Sequence, residues 1–101
     1  MDQTVTSLNG VLIRLPEERW EHIIERHQVL ASVQALVLDT IRNPLKILRG
    51  NDNALMAVRE MEPGRMLVVV YKETTEDDGF VITAFPTRRL SSLNRRQQEW
   101  P

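Results

Sequence analysis

The sequence predicts an α+β domain in which two N-terminal helices pack on a four-stranded antiparallel meander. Three observations predict it. Apolar residues recur at helical spacing in two segments that end before Asn43-Pro44. After that point the period shortens to β-prone runs separated by dense turn signals. A chain of 101 residues, 42% hydrophobic and 27% charged, has the length and composition of about one globular domain. That domain is expected to span 1–101, with its core over about 11–86 and a tail over 87–101.

Val11-Leu12-Ile13-Arg14-Leu15 follows the turn signal Asn9-Gly10 and reads as a short N-terminal strand at a sheet edge. Pro16 opens the first helix, since its missing N–H costs nothing in a first turn. Glu17 and Glu18 complement the positive end of the helix dipole. Trp20, Ile23, Ile24 and His27 fall on one face, so the helix is expected over about Pro16–His27. A second helix is expected over about Ser32–Arg42, with Ser32 as N-cap and Val33, Leu36, Val37, Thr40 and Ile41 as its apolar stripe. Pro44 stops it by pushing Asn43 out of the α region.

Four strands then follow, over Leu45–Arg49, Ala54–Glu60, Met66–Tyr71 and Phe80–Phe85. The third is apolar throughout and should be central, with both faces covered. Leu90, Leu93, Gln97 and Trp100 lie near helical spacing and suggest a short C-terminal helix.

Charge and composition narrow the function. Net charge is −1, so no basic field covers the whole molecule. Four arginines against one acid give +3 over 86–101, and Glu73, Glu76, Asp77 and Asp78 form an acidic loop. Either could meet a partner, although solvated surface is the ordinary reading. With no cysteine there can be no disulfide and no thiolate metal site, which fits a reducing cytoplasm. No apolar run reaches the ~18 residues of a membrane span, and the acidic, polar start Met1-Asp2-Gln3-Thr4 argues against a signal peptide. Four scattered glycines build no phosphate loop, dinucleotide fingerprint or serine elbow. No cofactor is expected. His22 and His27, five apart on a helix, do not share a face, which argues against a two-histidine metal site.

The reactive side chains that remain cluster on the first helix: Arg19, His22, Arg26 and His27. His27 ends the apolar face beside an arginine, at the end of the helix dipole that favours a cation. Histidine is suited to general acid or base work there, though a capping role at a helix C-terminus is the commoner one. Thr83 interrupts an apolar strand, where a hydroxyl could position a phosphate. Alternation puts it on the face of Val81 and Phe85. Tyr71, the one tyrosine, sits beside Lys72 and reads as a rim residue with a wet hydroxyl.

The run Arg14–His27, with Trp20, His22, Ile23, Arg26 and His27 as W-x-H-I-x-x-R-H, resembles the opening helix of small bacterial and phage proteins of the barnase–EndoU–colicin–RelE-like nuclease superfamily. Thr40-Ile41-Arg42-Asn43-Pro44 is similar to the end of their second helix. Met66–Lys72 and Ile82-Thr83-Ala84-Phe85 resemble their central strand and their final I-T-A-aromatic strand. The likeness runs from about Leu15 to Phe85. It departs at Gln28-Val29, where proline and an acid are frequent, and at Phe85, where tyrosine is common. The resemblance implies a metal-independent, toxin-like endoribonuclease in which the 2′-hydroxyl attacks the adjacent phosphate. It puts Arg26, His27 and Thr83 at the site; His22 and Tyr71 are added as further candidates, and the cations Arg19, Lys72, Arg88 and Arg89, the last two in the basic tail with Arg95 and Arg96, as candidate contacts to RNA. It also implies an antitoxin or other protein partner. A non-catalytic interaction module, or a dimer joined through a sheet edge or the Trp100 tail, is the competing reading.

Overall fold

A computed structural model describes residues 2–101. Along the chain, β1 (Gln3–Thr6) and β2 (Leu12–Leu15) precede α1 (Glu17–Arg26), a 3₁₀ turn (Gln28–Ser32) and α2 (Gln34–Arg42). Then come β3 (Lys46–Arg49), β4 (Leu55–Glu62), β5 (Arg65–Glu73), β6 (Gly79–Thr87), α3 (Leu90–Asn94) and β7 (Gln98–Trp100). All seven strands belong to one mixed sheet in the order β1-β2-β6-β5-β4-β3-β7.

This corrects the expected four-stranded meander. The antiparallel run β3-β4-β5-β6 is there, but β1 and β2 extend one side and β7 the other. β2 joins β6 in parallel, through Ile13↔Gly79 and Arg14↔Phe80 only. A parallel partner more than sixty residues away leaves no local trace in the sequence, because pairing is then decided by the core and not by a turn. β1 carries one buried residue, Val5, and β7 none, so neither has the alternation that marks a strand. The expected C-terminal helix stops at Asn94, and Gln97 and Trp100 belong to the segment that runs into β7, not to a helix.

The helices match their stripes with small shifts. Pro16 occupies the N-cap of α1 in extended conformation, one place before its expected position. Ile23 is buried, and Trp20, Ile24 and His27 are half-buried. Ser32 does not cap α2: it ends the 3₁₀ turn, and Val33 takes the N-cap place without a side-chain bond. Thr40 is buried mid-helix, and its hydroxyl donates to the Leu36 carbonyl at 2.7 Å. At the end of α2, Asp39 accepts from Arg42 (2.9 Å) and Asn43 (3.0 Å), and also from Arg59 on β4. These donors hold its carboxyl down at about 2.

The sheet separates two cores. Ile23, Leu30, Val37 and Ile41 from the helical side pack on Ile13, Leu67, Val69, Tyr71 and Val81. On the other face Leu48, Met56, Val58, Met66 and Val68 form a smaller core covered by Leu93 of α3. β5 is therefore central and buried on both faces, as its apolar run predicts. Gly79 sits where no side chain fits, since a Cβ there would run into the Lys72 carbonyl oxygen and lie 2.7 Å from Ile13 Cδ1. Pro86 inside β6 is also explained. β2 pairs with only two residues of β6, which leaves the rest of that side as an edge, where a missing N–H is tolerated.

Candidate functional site

The site grows from a bulge. Opposite β5, Val70 pairs with Thr83 but Tyr71 pairs with Val81, so Ile82 is an extra residue in β6. Strict alternation would put Phe80 and Phe85, five apart and the only phenylalanines in the chain, on opposite faces. The bulge resets the phase between them. Both now line a groove of 470 Å³ on the face away from α1 and α2, with Met56, Val70, Lys72 and Ile82. Arg96 from the C-terminal segment and the turn before β4 complete its rim. In that turn Asp52 and Asn53 both take positive φ (54° and 65°), and the Ala54 N–H donates to the Asn51 carbonyl at 3.0 Å. This is the tight hairpin turn that asparagine and aspartate tolerate.

Thr83 stands directly across from Val70, so its side chain shares the groove face. The bulge corrects one expectation here: Thr83 goes with Phe85, while Val81 is buried in the helical core. His27 is half-buried just past α1, which packs against β6. Its ring centroid is 6.4 Å from that of Phe85, tilted at 43°. The end of α1 thus meets one wall of the groove, and Thr83 lies two residues from that contact. Arg26 is exposed next to His27.

The other expected residues lie elsewhere. Tyr71 is not a rim residue. It is fully buried on the helical face, and its hydroxyl has no hydrogen-bond partner among the described residues. Burial, with the Glu73 charge, pushes its phenol well above the ordinary value. It cannot reach a substrate on either surface. Arg19 and His22 line a shallow depression with Pro16 and Glu18, and His22 is set off from His27 by ~140° around the helix. Arg88 and Arg89 are exposed on the segment after β6, with Arg88 3.5 Å from Glu62. Among the described residues Arg19, Arg26, Lys72 and Arg89 make no ion pair, and neither imidazole makes a hydrogen bond. No three His, Cys, Asp or Glu side chains among them could hold a metal ion, and no helix among them is long and apolar enough to cross a membrane.

Half of the acidic loop is used internally. Asp78 makes a two-pronged pair with Arg14 on β2, both contacts at 2.9 Å, and its carboxyl is held below the usual range. Glu73 accepts from the Ser7 hydroxyl at 2.5 Å and the Asn9 amide at 2.9 Å.

Phe80 and Ile82 are groove residues that sequence reasoning passes over, whereas Arg96 belongs to the basic tail that it marks. Two phenylalanines beside a lysine on neighbouring strands were a usable signal, but only with the bulge known. Comparison with family models, curated proteins and solved structures finds no match to this chain.

Proposed function

We propose that this chain is a metal-independent endoribonuclease acting in the cytoplasm, a relative of the superfamily its helix and strand motifs resemble. The observation that carries the reading is the contact between His27 and Phe85, because it sets an imidazole against the wall of a groove whose walls suit RNA. Phe80 and Phe85 offer faces on which unpaired bases stack, and such stacking is worth ~1–3 kcal/mol per base. Lys72 and Arg96 offer charge to the backbone. An overall charge of −1 does not oppose this, since Lys72 and Arg96 against Asp52 leave the groove lining itself basic.

In the proposed reaction the 2′-oxygen attacks the adjacent phosphorus and the bond to the 5′-oxygen breaks. The products are a 2′,3′-cyclic phosphate and a 5′-hydroxyl. His27 transfers a proton, either taking it from the 2′-hydroxyl or giving one to the leaving oxygen. One imidazole serves this face, so the second proton exchanges with water. Arg26 stabilises the charge that grows on the phosphoryl oxygens, and Thr83 donates to one of them.

The test is cleavage of a single-stranded oligoribonucleotide in EDTA by the wild type, His27→Ala and Phe85→Ala. His27→Ala is expected to lower the rate by ~10²–10⁴ while binding is kept. Phe85→Ala is expected to weaken binding. No cleavage by wild type, with RNA still bound in the groove, would assign the face to RNA binding without catalysis.

A further inference from the structure

A second groove lies at the opposite side of the sheet. Its apolar part comes from Leu8 in the β1–β2 turn, Ile47, Leu55 and Trp100, and its volume is 420 Å³. Leu55 shares the helical face, whereas its neighbour Met56 faces the RNA groove, so the two grooves lie on opposite faces of the sheet. Leu8 and Trp100 come from opposite ends of the chain and remain 43% and 40% exposed, although both line this one hollow. Exposed large apolar residues gathered in one concave place mark an interaction surface more often than scattered ones do.

The charge of the lining selects the partner. Glu73 and Glu99 face the groove, and no lysine or arginine lines it. Glu73 has neutral donors only, Ser7 and Asn9, so its orientation is fixed while its charge stays uncompensated. Glu99 uses one carboxylate oxygen on Arg49 at 2.5 Å and keeps the other. Glu76 and Asp77 line a separate depression beyond Asn9 and Glu73 and take no part in this groove. From this we infer that the groove docks an extended, basic segment of another protein, with an aliphatic side chain between Leu8 and Trp100 and a lysine or arginine on Glu73. A partner held there leaves the Lys72–Phe85 face open, so it would deliver or anchor the protein without plugging the RNA groove.

The full chain can be titrated with three fluorescent eight-residue peptides, alternating lysine–leucine, lysine–serine and glutamate–leucine. The lysine–leucine peptide is expected to bind at least about tenfold tighter than either other, since both the anchor and the charge are needed. Leu8→Ser and the double variant Glu73→Gln/Glu99→Gln should each weaken it by roughly fivefold or more, and Glu76→Gln/Asp77→Asn by less than about twofold. Amide shifts mapped on the wild type should move at Leu8, Asn53, Glu99 and the Trp100 indole. Equal binding of the lysine–serine peptide, equal loss in the control variant, or shifts centred on Lys72 and Phe80 would overturn the inference. So would a concentration-dependent rise in mass abolished by Leu8→Ser, which would make the occupant a second copy.

Discussion

Replacing Tyr71 with phenylalanine should make this protein more stable, against the usual direction of a core mutation. The phenol is fully buried, and among the described residues its hydroxyl finds no donor or acceptor. A buried polar group left without a partner costs ~1–3 kcal/mol. Phenylalanine keeps the ring in the core it shares with Leu67, Val69 and Val81, and the small void left by the oxygen takes back part of the gain. A net gain of ~1–2 kcal/mol at neutral pH is expected, or ~4–8 °C in Tm per kcal/mol for a domain of this size. The gain must grow with pH. Burial raises the phenol in the folded state above its unfolded value of about 10. The contribution of the neutral phenol is thus complete below that unfolded value and is lost as pH climbs towards the folded one. Each pH unit in that window costs the wild type ~1.4 kcal/mol that the variant does not lose. Urea denaturation of both proteins from neutrality to about pH 11 measures this, the difference in ΔG being the readout. A variant less stable than wild type at neutrality, or a difference that does not widen with pH, would refute the reasoning and reveal a partner for the hydroxyl.

Further expectations rest on other parts of the fold. Gly79→Ala should destabilise by ~2 kcal/mol or more, because the clash is with a backbone carbonyl that cannot rotate away, as thermal melts would register. Gly64→Ala should cost ~1–2 kcal/mol, since φ of 78° after Pro63 in the β4–β5 turn favours glycine and disfavours alanine, and a denaturant midpoint would show it. Asp39→Asn should flatten the acid limb of the stability curve. The wild-type carboxylate, at about 2 when folded, loses its stabilising effect as pH falls from its unfolded value of about 4 towards that point, which acid titration by circular dichroism follows. Phe80→Ala and Phe85→Ala should each weaken single-stranded RNA binding by ~1–3 kcal/mol with little change in the salt slope, whereas Lys72→Ala should reduce the slope by about one contact.

What could be read beforehand was whatever lay within a single element. The Trp20–Ile23–His27 stripe, the double-sided burial of β5 and the stop at Pro44 each follow from spacing of a few residues. The sheet's outer strands could not be read this way. Val5 alone is buried in β1, and Trp100 in β7 stays exposed, so their pairing depends on partners far along the chain. The groove was hidden for a more specific reason. Counting by twos from Phe80 puts Phe85 on the wrong face and joins Thr83 to Val81, and the one inserted residue, Ile82, reverses both assignments. Bulges carry no strong sequence mark, so a site built on one is invisible to periodicity. Tyr71 failed for the opposite reason. Its polar tip suggested a wet rim, but the strand's apolar neighbours had already committed that face to the core.

The central claim is that a proton moves at His27 while a 2′-oxygen attacks phosphorus. It is tested most directly by an oligoribonucleotide incubated in EDTA with the wild-type protein, beside the same strand 2′-O-methylated at every residue, with the product termini identified by mass. Fragments ending in 2′,3′-cyclic phosphate from the first strand, none from the second, and loss of both products in His27→Ala are the predicted result. Cleavage of the methylated strand, or equal rates with and without His27, would contradict it.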